Sequence, residues 1–271
     1  LPSSIFVDCT SSEAVAGLYE RILDSNISIV TPNKKANSGS QQVYQQLKRT
    51  ARQRGVRFLY ETNVGAGLPV INTLNDLLLS GDKVIRIEAV LSGTLNFIFS
   101  SFNGGKPFSE IVKEAKEKGY TEPDPRDDLS GTDVARKILI LSRECGLSLE
   151  LGDIPIQNLV PQDCREQKTT EEFLKALQKH DAEFEALRKE AESKQQKLRY
   201  QAVLENGNVN VALKPVDSSH PFYSLSGSDN IILLTTERYH ERPMVIRGPG
   251  AGAEVTAAGV FADIIRIGGR I

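Results

Sequence analysis

The sequence predicts an α/β fold in two parts: an incomplete Rossmann-type parallel sheet, followed by an α+β domain with a mixed sheet. The first seventy residues alternate β-branched runs with helix-forming runs, which is typical of parallel strands joined by crossover helices. Later residues form longer helices and pairs of alternating strands. No G-x-G-x-x-G motif follows the first strand, so we expect the chain to enter the Rossmann fold halfway. A smaller complete α/β domain is the alternative.

Apolar periodicity and turn residues place the individual elements. In the first part, strands are expected over residues 4–10, 27–34 and 56–64, with helices over 11–26 and 40–55. Ser and Glu13 begin the first helix, and Gly55 ends the second. In the second part, helices are expected over 68–81, 108–119, 132–145, 169–196 and 253–267, and strands over 83–93, 230–239 and 243–248. Asn206-Gly207 predicts a hairpin within 197–216.

The composition excludes several classes of protein. The chain has 271 residues, 39% of them hydrophobic, which is enough for one large or two modest domains. A net charge of -2 argues against a nucleic-acid partner, and no apolar run is long enough to cross a membrane. Cys9, Cys145 and Cys164 are few and scattered, so we expect a reducing, cytoplasmic setting. The histidines, His180, His220 and His240, are too far apart to predict a zinc site, and we expect no catalytic role for His180.

The stretch TEPDPRDDLSGTDVARK, residues 121–137, concentrates charge immediately before an apolar helix. Asp133 and Lys137 are four residues apart and share one face of that helix. They could form an exposed ion pair of little energetic value. In a helix that is otherwise apolar, however, a charged face indicates a polar cleft, because unpaired buried charge is costly. A lysine in such a cleft could act as a general acid.

Three further stretches are candidates for ligand binding. In ETNVGAGLPV, Glu61 and nearby carbonyl groups could hold a hard cation, although a tight strand–helix connection with no ligand explains the spacing better. In VTPNKK, Lys34 follows a strand end, where parallel sheets bind ligands, or is an exposed loop lysine. The glycine turn of GPGAGAEVTAAG opens a helix whose N-terminus suits an anion.

Taken together and in order, these motifs resemble those of homoserine dehydrogenases. The resemblance rests on VDCTSS, VTPNKKA, ETNVGAGLPVI, LSGTLNFI, GYTEPDPRDDLSGTDVARK and GPGAGAEVTAAGVFADI, which together span nearly the whole chain. The intervening segments are most similar to the dehydrogenase half of a bifunctional aspartokinase–homoserine dehydrogenase. The resemblance implies NAD(P)-dependent interconversion of L-homoserine and L-aspartate 4-semialdehyde, on the route to threonine and methionine.

The resemblance also implies a role for each matching residue. Lys137 matches the proton-transferring lysine, and Glu122 and Asp133 match the substrate-binding carboxylates. The matching cofactor-binding positions are Thr10, Ser11, Lys34, Gly119 and Gly252. Glu61 and the carbonyls of Val64, Ala66 and Leu68 match a structural site for a monovalent cation, sodium or potassium. The remaining charged residues of the motif, namely Asp124, Arg126, Asp127, Asp128 and Arg136, receive no catalytic role.

The resemblance predicts a domain organisation as well. Residues 1–68 would form the C-terminal half of an NAD(P)-binding Rossmann domain. Residues 69–245 would form the substrate-binding and dimerisation domain, and residues 246–271 would return to the Rossmann domain. A homodimer or larger homo-oligomer is implied. Cys9 is taken as a packing residue, since no cysteine nucleophile is needed. The opposing hypothesis is an inactive dimerisation or regulatory fragment, because the glycine motif that binds pyrophosphate is absent.

Overall fold

The computed structural model describes residues 3–269 and confirms the predicted α/β class. The strands are β1 Ile5–Val7, β2 Ser28–Val30, β3 Phe58–Leu59, β4 Val84–Val90, β5 Lys197–Glu205, β6 Asn208–Val216, β7 Asp229–Thr236 and β8 Met244–Pro249. The helices are α1 Glu13–Ala16, α2 Tyr19–Asp24, α3 Gln41–Arg54, α4 Ile71–Leu79, α5 Gly93–Ser101, α6 Phe108–Glu117, α7 Pro125–Leu129, α8 Thr132–Glu144, α9 Gln162–Arg165, α10 Thr170–Leu177, α11 Asp181–Ser193 and α12 Ala253–Gly268.

The first sheet is parallel, with strand order β1-β2-β3. Its second crossover helix, α3, begins and ends where the sequence predicts. The Ser40 hydroxyl accepts a hydrogen bond from the Val43 amide at the start of α3, and Gly55 ends α3 with a φ of 65°. That left-handed conformation favours glycine. Because β1 and β2 are parallel, their carboxyl ends lie at the same edge of the sheet.

The helix predicted over residues 11–26 is two helices, α1 and α2. Gly17 lies at the break and lowers the helix propensity there. The break directs Tyr19 inward, where its ring is fully buried and its hydroxyl donates to the Asp8 carboxylate. A tertiary hydrogen bond therefore outweighs the local preference for one continuous helix.

The second sheet has strand order β6-β5-β4-β7-β8, and its five strands pair only antiparallel. A single parallel bridge joins Ile156 to Val211 in β6. The predicted hairpin is confirmed: Asn206 and Gly207 have φ angles of 52° and 78°, as a two-residue type I′ turn requires. The sheet is thus more regular than the mixed sheet expected.

The helix predicted over residues 169–196 is broken into α10, a 3₁₀ turn over Gln178–His180, and α11. Its predicted capping box is confirmed, because Thr169 and Glu172 each accept from the other's amide. The break places the Asp181 carboxylate against the start of α6, where it accepts from the amide and the hydroxyl of Ser109, both at 2.7 Å. Sequence periodicity does not reveal such a contact between distant segments.

The charged stretch 121–137 contains a short helix that the sequence analysis did not predict, α7, before the predicted helix α8. Asp124 caps α7, and Pro125 occupies the first turn of that helix. Gly131 then separates α7 from α8, whose apolar residues are buried as predicted. The stretch therefore consists of two helical segments, α7 and the start of α8, joined by a turn at Gly131.

The hydrophobic core is continuous between the two sheets. It includes Leu23 and Ile29 of the first part and Leu95, Ile138 and Ile232 of the second, all with side chains almost fully buried. Helix α8 packs against β5, β6 and α4. Within residues 3–269, no helix has both the length and the apolar character to cross a membrane.

The turn at Gly131 generates a stability prediction. Gly131 has a φ of 74°, and a Cβ atom there would overlap the hydroxyl of Tyr200, which donates to the carbonyl of Gln157 at 2.7 Å. Gly131→Ala combines left-handed strain with overpacking, so we expect the free energy of unfolding to fall by about 2–5 kcal/mol. Urea denaturation measures this change.

Gly146→Ala is the matched control. Gly146 has a φ of 88°, but no atom lies within 4 Å of the position of an added Cβ. Only the backbone strain remains, so a loss of about 1–2 kcal/mol is expected. Equal losses in the two variants would show that Tyr200 does not constrain the turn before α8.

Candidate functional site

A cleft of about 450 Å³ lies at the carboxyl ends of β1 and β2, facing the start of α8. Ligands bind at this edge in open parallel sheets, because the connecting loops diverge there. Of the residues predicted to bind ligands, Thr10, Ser11, Lys34 and Asp133 line this cleft. The full lining comprises Thr10, Ser11, Pro32, Asn33, Lys34, Lys35, Asp127, Ser130, Thr132, Asp133 and Arg136.

The buried Asp8 carboxylate holds the two strand ends of the cleft together. It accepts from the Thr10 amide at 2.7 Å, from the Asn33 amide group at 3.0 Å and from the Tyr19 hydroxyl. Burial acts to raise the pKa of Asp8, but these hydrogen bonds outweigh it and hold the pKa below its usual value. Asp8 was not predicted as a site residue. It acts on the site only through the loops that carry Thr10 and Lys34.

Asp133 joins two lysines at the start of α8. Its carboxylate lies 2.8 Å from Nζ of Lys137, one turn further along the helix, and 3.3 Å from Nζ of Lys34. Nζ of Lys137 also donates to the Leu91 carbonyl at the end of β4, at 2.7 Å. Three segments that are distant in the sequence, namely those of Lys34, Leu91 and the start of α8, therefore meet at the Asp133 carboxylate and the Lys137 ammonium group.

The two lysines favour the ionised form of the Asp133 carboxylate. Partial burial acts to raise the pKa of Asp133, but the ammonium groups of Lys137 and Lys34 hold it well below its usual value. The Asp133 side chain is half-exposed, whereas only 12% of the Lys137 side chain is exposed. A lysine so enclosed keeps its rotamer, because both of its polar contacts are fixed by secondary structure.

A second group of carboxylates lies beside this cluster. Asp128 in α7 accepts from the Glu122 amide at 2.8 Å and is half-buried. Burial raises the pKa of Asp128, and the negative charges of Glu122 and Asp133 raise it further. The Glu122 side chain itself is exposed. Asp128 was assigned no role from the sequence. The signal that identifies it is the convergence of like charges, which only the folded chain displays.

The two glycines predicted to contact the cofactor, and Cys9, lie outside the lining of the cleft. Gly252 caps α12 with a φ of 128°, and Gly119 follows α6 with a φ of 72°, and neither lines the cleft. Their cofactor contacts stay predictions. Cys9 is exposed just after β1, so the prediction that it is a packing residue is wrong. The strand ends at Val7, and Asp8 rather than Cys9 is the buried residue that follows it.

The predicted cation loop has an unusual backbone. Gly65 and Ala66 have φ angles of 80° and 53°, and the latter is uncommon for a residue with a Cβ. The Glu61 carboxylate is nearly fully buried and accepts from the Ile71 and Asn72 amides at 2.7 and 2.8 Å, so it caps α4. Burial raises the pKa of Glu61. The Leu68 carbonyl accepts from the Val70 amide at 2.9 Å.

Asp128 generates a pH-dependent prediction. Because its pKa is higher in the folded chain than in the unfolded chain, the folded state holds its proton more tightly. The free energy of unfolding therefore falls as pH rises from the unfolded value toward the folded value. Asp128→Asn removes this loss, so we expect a higher Tm than wild type at neutral pH. The gain should disappear below about pH 4, near the unfolded pKa of aspartate.

Asp127→Asn is the control, since the exposed Asp127 lies one residue away on the same short helix. Thermal denaturation across pH 3–8 should show a smaller dependence on the substitution at Asp127. A neutral-pH Tm that drops in Asp128→Asn would mean that the carboxylate contributes to stability in its charged form.

Two family models match successive parts of the chain. Family models described as "Homoserine dehydrogenase, NAD binding domain" and "Homoserine dehydrogenase" match residues 2–61 and 69–265. A crystal structure of a Candida auris protein of unknown function covers 98% of this chain and 76% of its own, with 42% identity and a TM-score of 0.94. A hyperthermophilic archaeal homoserine dehydrogenase in complex with NADPH has 26% identity and a TM-score of 0.75, with 97% of this chain and 71% of that chain covered.

Curated relatives are more similar in sequence. The Zea mays bifunctional aspartokinase/homoserine dehydrogenase 2, a chloroplastic protein, is 51% identical over 98% of this chain. The chain spans only 29% of the length of that relative. The homoserine dehydrogenase of Schizosaccharomyces pombe is 49% identical over 97% of this chain, which spans 72% of that protein. On the family matches and this last coverage, the chain belongs to the homoserine dehydrogenase family.

Proposed function

We propose that the protein interconverts L-aspartate 4-semialdehyde and L-homoserine with a nicotinamide dinucleotide, in the biosynthesis of threonine and methionine. The observation that carries this proposal is the cluster of Lys34, Asp133 and Lys137 at the strand-end cleft, beside a group of carboxylates. A fixed ammonium group suits an aldehyde or alcohol oxygen, and carboxylates suit the amino group of the substrate. Membership of the homoserine dehydrogenase family supports the same reaction.

The carboxylates would bind the ammonium group of the substrate. Asp128 is half-buried, and its pKa is raised by burial and, to a lesser extent, by the negative charges of Glu122 and Asp133. A cation among these side chains relieves that repulsion and lowers the pKa of Asp128. We therefore assign substrate binding to Glu122, Asp133 and Asp128, the last being an addition to the residues proposed from sequence.

Lys137 would transfer the proton at the substrate oxygen. Two of its three N–H bonds donate to the Leu91 carbonyl and the Asp133 carboxylate, and these are its polar partners within residues 3–269. The third N–H bond is available to a ligand. In the direction of reduction, Lys137 would donate a proton to the carbonyl oxygen as negative charge develops there. Lys34 and Asp133 would keep the ammonium group oriented.

The cleft suits a nicotinamide dinucleotide, which supplies the hydride when bound. Thr10 and Ser11 follow β1, and Lys34 follows β2, at the edge where such sheets bind nucleotides. Gly119 and Gly252 remain proposed backbone contacts. The match to an NAD-binding domain and the NADPH complex of the archaeal relative support NAD or NADP as the cofactor.

Other proposals rest on fewer observations. The left-handed Ala66, next to the buried Glu61 carboxylate, supports a structural monovalent cation held by Glu61 and the carbonyls of Val64, Ala66 and Leu68. A homodimer formed through residues 69–245 and a cytoplasmic location are proposed from the resemblance and the cysteine content. In the proposed domain division, α12 returns to the first domain by contacts with the segment near Glu61.

The activity test is NADPH oxidation with L-aspartate 4-semialdehyde. It is measured for this chain and for the chain extended upstream to complete a dinucleotide-binding fold. We expect turnover in the extended protein. If only the shorter chain is inactive, that chain is an inactive fragment, and the proposed function applies to the extended protein. If neither is active, the proposed function is wrong.

A lysine substitution tests the proton-transfer role. Lys137→Met keeps most of the side-chain volume but removes the ammonium group, so we expect kcat to fall by about 10²–10⁴-fold. Lys113→Met on the exposed face of α6 is the control for the loss of one lysine. Circular dichroism should show that both variants fold. Wild-type kcat in Lys137→Met would remove the lysine from the mechanism.

Glu122 is tested separately, because its proposed role is binding rather than proton transfer. Glu122→Gln should raise KM for L-aspartate 4-semialdehyde about tenfold or more, with KM for NADPH nearly unchanged. Steady-state kinetics with each substrate varied in turn measures both constants. A change confined to the KM for NADPH would place Glu122 at the cofactor instead.

A further inference from the structure

Asp163, Cys164 and His180 form a cluster of potential metal ligands away from the proposed active-site cleft. Nε2 of His180 lies 2.8 Å from Oδ1 of Asp163, and Sγ of Cys164 lies 3.8 Å from the same oxygen. All three ligand atoms lie within 4.8 Å of one another. No role in the proposed reaction involves any of these residues.

The chemistry of the three atoms selects one class of metal. A thiolate, an imidazole and a carboxylate are together the ligands of zinc, which prefers a tetrahedral arrangement with ligand atoms roughly 3–4 Å apart. Two of the three separations already fall in or near this range. The hydrogen bond between His180 and Asp163 places a proton where a cation would lie.

A further contact orients the imidazole for metal binding. Nδ1 of His180 lies 3.2 Å from the Glu183 carboxylate on α11. Metal-binding histidines commonly donate their second ring nitrogen to a carboxylate, which fixes the tautomer and makes the ligating nitrogen more basic. The 3₁₀ turn between α10 and α11 brings His180 against α9, which carries the other two ligands.

Solvent reaches the cluster mainly at Asp163 and partly at His180. Cys164 is completely buried, whereas 54% of the Asp163 side chain and 18% of the His180 side chain are exposed. A cation can therefore enter past Asp163 and keep a water molecule as its fourth ligand. Binding requires the Cys164 thiol to lose its proton to the solvent, because the thiolate is the ligating form.

We propose that Asp163, Cys164 and His180 bind one zinc-class divalent cation, with Glu183 as the orienting carboxylate. The bound ion would join α9 to the turn between α10 and α11. The carbonyl of Gln167, just after α9, accepts from Arg126 of α7 at 2.6 Å. The metal site is thus structurally continuous with the helix that carries Asp128, although it contributes no ligand to the substrate.

Cadmium and zinc provide the test. Cd²⁺ titration, followed by the thiolate-to-cadmium charge-transfer absorption, should saturate near one equivalent in wild type and in Cys9→Ser, which removes the exposed thiol. The absorption should be lost when Cys164→Ala is added to the Cys9→Ser variant. Absence of the absorption in Cys9→Ser, or its persistence in the double variant, would overturn the proposal.

Variants of the exposed ligands guard against misfolding of the Cys164 variant. His180→Gln should weaken Zn²⁺ binding, measured by calorimetry, at least about tenfold, and Glu183→Gln should weaken it by a smaller factor. His240→Gln, on an exposed turn, should bind as wild type does. Saturating Zn²⁺ should raise Tm in wild type but not in His180→Gln. Equal affinity in His180→Gln and His240→Gln would contradict the assignment.

Discussion

The proposed active site depends on one shared ion cluster, in which Asp133 lies between Lys34 and Lys137. A single ammonium group in the position of Lys137, with 12% of its side chain exposed, would be costly without a partner. The carboxylate one turn earlier on α8 offsets that cost, and the Leu91 carbonyl accepts a second N–H bond. Because Lys34 follows β2 and Leu91 follows β4, the same interactions fix the first sheet relative to the second.

At the neighbouring Asp128, the arrangement of charges lowers the stability of the folded chain and is explained by function instead. Asp128 lies where two other carboxylates act on it, and burial removes much of the water that would screen them. A protein selected only for stability would place an amide or an apolar residue there. A cationic ligand beside Asp128 would offset this loss of stability, because it supplies the positive charge that the folded chain lacks there. Asp133 differs because its counter-charges belong to the protein itself.

The sequence was sufficient for the elements with strong local signals. The caps at Gly55 and Thr169, the Asn206-Gly207 hairpin and the i,i+4 pair on α8 were all found as predicted, because each depends on residues within a few positions. The breaks before Tyr19 and at His180 were missed, since they are imposed by contacts with Asp8, with Ser109 and with α9. Asp128 was missed for the same reason: its environment consists of charges brought together by the turn at Gly131.

The position of the last helix follows from a different carboxylate. Asp263 is 1% exposed and accepts from the Glu61 amide at 3.0 Å, while Arg266, one turn later, donates to its other oxygen at 2.7 Å. Glu61 in turn caps α4 with its side chain. One residue therefore orients α12 through its backbone and α4 through its carboxylate. Gly67 and Gly259 permit this close approach, because a Cβ on either would collide with the other segment. The turn at Gly252, which begins α12, is consequently fixed in position relative to the loop from Glu61 to Leu68, and not only relative to the second sheet. A ligand bound at this turn would be held next to that loop.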